Sequence, residues 1–165
     1  MNIIISASYR KNSLSERLAK SLYQGFETLR LDGFKIEYCR GCGGCDKSGR
    51  CVIKDDHAAL LEKIDAADEI VLAFPVYFDS VPAQLKAVID RLQQRYIVSY
   101  GAGGRIEKTK KLHVVFTAGG KAQIPAPKTL KYFADCIGAT LCDCTGLSYT
   151  DKEPSLSDAE TFLFT

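Results

Sequence analysis

Short apolar runs separated by amphipathic stretches constrain this chain more than any other feature. Ile3-Ile4-Ile5, Glu69-Ile-Val-Leu-Ala-Phe74 and Lys111-Leu-His-Val-Val-Phe-Thr117 carry apolar residues without alternation. Strands of that kind are covered on both faces, the condition of a parallel sheet with helices on each side. Phe34-Lys-Ile36-Glu-Tyr38 and Thr140-Leu-Cys-Asp-Cys-Thr145 read as two more strands. Helical patterns lie between. Leu14, Leu18, Leu22 and Phe26 recur every four residues, in a helix expected to end near Gly33. Leu60, Leu61 and Ile64 mark a second helix, opened by the capping pair Asp55-Asp56. A third runs from Ala83 to about Arg95, with Leu85, Val88, Ile89 and Leu92 on one face, and a fourth from Thr129 to Ile137. Five strands alternating with helices predict an α/β fold with right-handed crossovers. At 165 residues the chain reads as one domain, 1–165, without linker or repeat. The tail from Asp151 to Thr165 predicts a short last helix starting at Ser157-Asp-Ala-Glu160.

Composition removes some classes of partner. A net charge of +2, with no basic stripe interleaved with aromatics, argues against nucleic acid. No segment approaches the roughly 20 apolar residues of a membrane span, so no membrane partner is expected. Met1-Asn-Ile-Ile-Ile-Ser6 is too short and lacks the basic start of a signal peptide, which predicts a cytoplasmic protein.

In an open parallel sheet a ligand sits beyond the carboxyl ends of the strands. Three loops are expected there. Ser6 to Ser15 offers the hydroxyls of Ser8, Ser13 and Ser15, the Arg10 guanidinium and a helix start, a combination suited to phosphate. It lacks the glycines of a dinucleotide fingerprint and the GxxxxGK[ST] of a triphosphate loop, so a monophosphate is favoured. Pro75-Val76-Tyr77-Phe78 offers two aromatics for stacking, and Thr117-Ala118-Gly119-Gly120 lets backbone approach a ligand edge. Taken singly these residues are also ordinary caps, packing aromatics and a turn. Together they suit a flat monophosphorylated cofactor, and flavin mononucleotide (FMN) fits.

Four of the seven cysteines, Cys39, Cys42, Cys45 and Cys51, fall within thirteen residues. Cytosolic thiols are kept reduced, so such a cluster points to metal or redox chemistry before disulfides. Three thiolates spaced x2-x2 can reach one iron–sulfur cube and a fourth five residues on can close it. Free thiols beside a flavin, a zinc site and a disulfide are the alternatives. Cys136, Cys142 and Cys144 read as small buried residues. No catalytic acid, base or nucleophile set appears. His57 and His113 read as structural, Asp90-Arg91 as a structural ion pair, and Gly101 to Gly104 follows a helix rather than a strand, which fails the context of a nucleotide loop. The stretch from Tyr96 to Lys110 reads as a loop.

These motifs, in this order, resemble the flavodoxin-like NAD(P)H-dependent FMN reductases, and their iron–sulfur flavoprotein branch in particular. The matching pieces are Ser8-Tyr-Arg10-Lys-Asn-Ser13-Leu14-Ser15, Cys39-x2-Cys42-x2-Cys45-x5-Cys51 with Asp55-Asp56, Ala67-Asp68-Glu-Ile-Val, Pro75-Val-Tyr77-Phe78 and Lys86-Ala-Val-Ile-Asp90-Arg91. The resemblance implies a flavodoxin-like, doubly wound three-layer sandwich around a five-stranded parallel sheet of order 2-1-3-4-5. It implies FMN phosphate at Ser8, Arg10, Ser13, Leu14 and Ser15. It places the flavin ring against Pro75, Val76, Tyr77 and Phe78 and against Thr117, Ala118, Gly119 and Gly120. It implies a [4Fe–4S] cluster on Cys39, Cys42, Cys45 and Cys51. NAD(P)H as transient electron donor, a small-molecule or protein acceptor, and a homodimer or homotetramer also follow from it. A carrier of electrons between proteins, working without NAD(P)H, is the alternative function.

Overall fold

The computed structural model describes residues 1–97, 106–120, 123–148 and 154–164. Six strands form one sheet of order β2-β1-β3-β4-β5-β6. In chain order the elements are β1 (Asn2–Ser6), α1 (Leu14–Leu22), β2 (Glu27–Arg30), α2 (Gly44–Ser48), α3 (His57–Ala66) and β3 (Glu69–Pro75). Then come α4 (Ala83–Arg91), α5 (Gln93–Tyr96), β4 (Lys110–Ala118), α6 (Pro127–Ile137), β5 (Ala139–Ser148) and β6 (Glu160–Leu163). β1 to β5 pair in parallel and β6 runs antiparallel to β5. The first five strands follow the flavodoxin-like order; the sixth is an addition to it.

The unalternating strands are buried on both sides. Ile3, Ile5, Ile70, Leu72, Phe74, Leu112, Val114 and Phe116 share a core with α3, α4 and α6. Ile4, Val71, Ala73 and Val115 point the other way, against Leu18 and Ala19 of α1. Burying each of the fully enclosed Phe74, Phe116 and Phe133 contributes on the order of 2 kcal/mol. Phe116 lies across Gly146 of β5, where a Cβ would stand 2.3 Å from its ring, so β5 passes close only because that residue is glycine. Among the described residues no helix is long and apolar enough to cross a membrane.

Four expectations need correction. The second strand is Glu27–Arg30, and residues 34–38 are extended outside the sheet. α1 stops at Leu22, and Gly25, at φ +82°, turns the chain back toward the sheet. β2 lies at the sheet edge with only Leu29 buried, so its apolar signal is weak. The N–H groups of Lys35 and Glu37 find carboxylates instead of a ladder: Asp56 and Asp55, each at 2.8 Å. The third helix is broken at Leu92 into α4 and α5. The tail forms a capped 3₁₀ turn, Leu156–Asp158, and then β6 rather than a helix. Thr161, Phe162 and Leu163 are β-formers, and Phe162 packs onto the core. Of the loop expected over 96–110, residues 98–105, with Gly101, Gly103 and Gly104, lie outside the described residues.

Candidate functional site

The three expected loops meet at the carboxyl ends of β1, β3 and β4. Ala7 N–H donates to the Ala73 carbonyl and Val76 N–H to the Thr117 carbonyl, each at 2.8 Å. Gln84, in the first turn of α4, donates from Nε2 to the Ala7 carbonyl at 2.7 Å.

The loop from β1 to α1 is braced from within. Ser13 is the N-cap of α1 and accepts the Glu16 N–H at 3.3 Å. Its hydroxyl lies 3.3 Å from that of Ser15, and Ser8 Oγ accepts the Arg10 N–H at 3.3 Å. Ser8 and Ser15 are buried, Ser13 and Leu14 half-buried and Arg10 exposed. Hydroxyls and the free N–H groups of a nine-residue helix therefore share one loop with the exposed Arg10, which suits an anion.

Two residues that the sequence reading missed hold this loop. Arg30 Nη2 donates to the Ser8 carbonyl at 2.9 Å, and Arg30 Nη1 pairs with the buried Glu16 carboxylate. Glu16 also accepts from Ser6 Oγ at 2.9 Å and Lys20 Nζ at 2.6 Å. Burial works to raise its pKa, but the Lys20 and Ser6 hydrogen bonds and the Lys20 and Arg30 charges outweigh it. The carboxyl stays below its ordinary range. Glu16 falls on the buried side of α1 at helical spacing from Ala19; a charged residue at such a position was the available signal.

The turn after β3 is strained. Tyr77 and Ser80 exchange backbone hydrogen bonds, and the two residues between them, Phe78 and Asp79, have φ of +50° and +54°. Asn-Gly is the usual occupant of such a turn, and each non-glycine residue so placed costs roughly 1–3 kcal/mol. The turn presents Phe78 wholly to solvent and Tyr77 largely so, while Pro75 and Val76 are half-buried. The Asp79 carbonyl accepts the Ala126 N–H at 3.1 Å, joining this turn to the segment before α6. Thr117 is buried and Ala118 half-buried. Gly119 and Gly120 are exposed, and among the described residues a Cβ on either would meet nothing within 4 Å.

The cysteine loop packs beside α4 and α5. Cys39, Cys42, Cys45 and Cys51 line one cavity of about 500 Å³ with Asp90 and Gln93. Cys39 and Cys42 are exposed, Cys45 and Cys51 half-buried. A Cβ on Gly44 would lie 2.6 Å from Val52 and 3.6 Å from Cys42 Sγ, so close packing of the loop requires this glycine. Among the described residues no three His, Cys, Asp or Glu side chains close on a point ready for a single metal ion. The β1–α1 side of the site touches Gln84 and the cysteine cavity Asp90, so about 9 Å of helix axis separates the two contacts. Cys136 and Cys144 are buried, and burial pushes the Cys144 thiol up to about 12. Cys142 is half-buried, not buried as expected, and donates to the Thr140 carbonyl at 3.4 Å.

Asp55 and Asp90 do not play the expected parts. Asp56 occupies the N-cap position of α3 but makes no side-chain cap; Asp55 accepts the His57 N–H at 3.1 Å instead. Asp90 pairs with Lys86 at 2.6 Å and Arg91 with Asp55 at 2.7 Å, so Asp90 and Arg91 do not pair with each other. Both histidines are engaged inside the fold. His57 Nε2 lies 3.2 Å from the Val88 carbonyl, and His113 sits between Asp143 at 2.7 Å and Glu69 at 2.9 Å.

Comparison with known proteins agrees with this geometry. Residues 2–137 match the family model described as NADPH-dependent FMN reductase. An iron-sulfur flavoprotein of Methanosarcina thermophila is 39% identical over 94 residues, covering 53% of this chain and 49% of that protein. The FMN-dependent NADH:quinone oxidoreductase 1 of Hahella chejuensis is 32% identical over 111 residues, covering 62% and 54%. The chain spans about half the length of these curated relatives. In fold it is similar to the Trp repressor binding protein from Bacillus subtilis, with a TM-score of 0.63, 17% identity, and coverage of 96% of this chain and 90% of that one.

Proposed function

Because the chain belongs to the NADPH-dependent FMN reductase family, we propose that it is an FMN-dependent oxidoreductase. It takes electrons from NAD(P)H and passes them to a quinone, flavin, metal ion or protein acceptor. The observation that carries this reading is the meeting of three chemically different loops at one end of the sheet. Serine hydroxyls and Arg10 stand at a helix start, a strained turn offers Tyr77 and Phe78, and a glycine pair is packed against nothing in the protein.

The donor set fits FMN. The phosphate is held by the hydroxyls of Ser8, Ser13 and Ser15, by Arg10, and by N–H groups at Leu14 and its neighbours. Pro75, Val76, Tyr77 and Phe78 would hold the ring, together with the backbone of Thr117, Ala118, Gly119 and Gly120. When bound, FMN supplies the hydride and electron chemistry, so the protein needs no acid or base at the ring. Its residues position the cofactor, neutralise the phosphate and shield one ring face from water. Mixing NADH or NADPH with FMN-loaded protein under nitrogen tests the reading by stopped-flow absorbance. Rapid bleaching of the yellow band is expected with at least one of the two.

We also propose a [4Fe–4S] cluster on Cys39, Cys42, Cys45 and Cys51. The donors are all thiols, they line one cavity, and that cavity has room for a group larger than one ion. Iron and acid-labile sulfide in protein purified without oxygen are the expected result. The exposure of Cys39 and Cys42 favours a second reading, a carrier between protein partners; it predicts no bleaching by either nucleotide and reduction only by a ferredoxin-type donor. A homodimer or homotetramer in the cytoplasm completes the proposal, with light scattering in solution as the test of assembly.

A further inference from the structure

The cysteine loop is fastened by one side chain from outside it. Arg91, the last residue of α4, is 2% exposed. Its Nη1 donates to the Glu37 carbonyl at 3.0 Å and its Nη2 to the Ile53 carbonyl at 3.3 Å. Glu37 lies two residues before Cys39, and Ile53 two residues after Cys51. One guanidinium therefore grips both feet of the loop that carries all four thiols. The same two nitrogens form a bidentate pair with Asp55, at 2.7 and 3.1 Å. Gln94 adds a hold on the loop by accepting the Cys51 N–H at 2.7 Å.

The grip leaves one donor over. Arg91 Nε is buried and has no partner among the described residues, although a buried, unmatched N–H of a charged group is costly. Burial acts against the guanidinium's charge, and the bidentate pair with Asp55 offsets that cost. The other charges lining the cavity, Arg40, Asp46 and Asp90, are exposed and screened by solvent and salt. The charge on Arg91 is shielded from that screening, and Asp55 opposes it through both terminal nitrogens.

We infer that Arg91 is a positioning residue that fixes the spacing of the four thiols and, with Asp55, sets the reduction potential of the cluster they hold. This rests on the cluster reading above. A buried cation bonded to both feet of the cysteine loop favours the state with one more electron, and the paired carboxylate tempers it. Removing either partner therefore moves the potential in opposite directions, which loosening of the loop alone would not do.

The test is a one-electron redox titration of anaerobically loaded, full-chain protein, followed by the spectroscopic signal of the reduced cluster. Arg91→Gln is expected to lower the potential and Asp55→Asn to raise it, each by tenfold or more in the reduction equilibrium, or about 59 mV for one electron. Arg91→Lys keeps the charge and is expected to restore most of the potential while lowering iron content. Should Arg91→Gln fail to fold, the rise in Asp55→Asn and the near-normal potential of Arg91→Lys decide the matter. Shifts of the same sign in Arg91→Gln and Asp55→Asn, or shifts below twofold, overturn the inference while leaving the cluster in place. Wild-type protein without iron and sulfide overturns the cluster reading, and this inference with it.

Discussion

The two loops that carry the proposed chemistry are built on opposite plans. The loop between β1 and α1 is braced by neighbours in sequence and by the adjacent edge strand: Ser8 bonds to Arg10, Ser13 caps Glu16, and Arg30 ties down the Ser8 carbonyl. It is preorganised, with its hydroxyls already in place. The loop between β2 and α3 has a short helix, three left-handed glycines and exposed thiols, and its firm attachments come from α4 and α5. Local hydrogen bonding suffices where an anion is to be met by a helix start. Placing four sulfurs around a larger group requires a long excursion, and a long excursion needs an anchor from elsewhere in the fold.

Breaking that anchor is the strongest test of the contrast. Asp55→Ala strands the buried Arg91 guanidinium and is expected to cost about 3–5 kcal/mol of stability, read from urea unfolding. Removing a serine brace from the β1–α1 loop should cost far less. The same pair sets a pH window. Burial alone would raise the Asp55 carboxyl, but hydrogen bonds from Arg91, Glu37 N–H and His57 N–H bring it from 3.8 to about 2. A depressed carboxyl contributes stability above its unfolded value and loses it as pH falls toward the folded one. Wild type and Asp55→Asn should therefore differ most at neutral pH and converge as the pH falls from about 4 to about 2.

A smaller effect is expected inside the cysteine loop. Gly44→Ala forces a methyl to 2.6 Å from Val52 Cγ1. Val52 is exposed and can move, and alanine favours the short helix, so the stability cost should stay near 1 kcal/mol. The iron content of anaerobically purified protein should fall by much more than stability does, because the displaced Val52 adjoins Cys51.

The same contrast explains what the sequence disclosed. β1, β3 and β4 were legible because burial on both faces leaves an unbroken apolar run. β2 was not, because an edge strand with Leu29 as its only buried residue carries almost no pattern. The Ser8 to Ser15 motif was legible as a capped helix start because caps act over two or three residues. Arg91 was read with its sequence neighbour Asp90, whereas its true partner Asp55 lies 36 positions away. Nothing in local spacing reports a contact made through the fold. The strain at Phe78 and Asp79 was hidden for a different reason: a left-handed turn usually announces itself with Asn and Gly, and here it has neither. The β6 strand was missed because its few residues hold to the sheet by pairing with β5, a tertiary choice made after the core has formed.

At the small end of the scale, the β1–α1 loop should separate stability from binding. Ser13→Ala removes the cap of α1 and is expected to cost about 1 kcal/mol, with weaker FMN binding as a secondary effect. Arg10→Ala goes further toward a pure binding change. Its side chain is exposed, and among the described residues its guanidinium has no partner, so unfolding of the FMN-free protein should shift by less than about 0.5 kcal/mol. Charge-assisted contacts to phosphate contribute roughly 1.5–3 kcal/mol, which corresponds to about 10- to 100-fold weaker FMN binding in fluorescence titrations. Riboflavin, which lacks the phosphate, should bind the variant and the wild type alike. Equal loss for both ligands would place Arg10 away from the phosphate and would remove the distinction between a loop that is ready-made for an anion and one that has to be held in place.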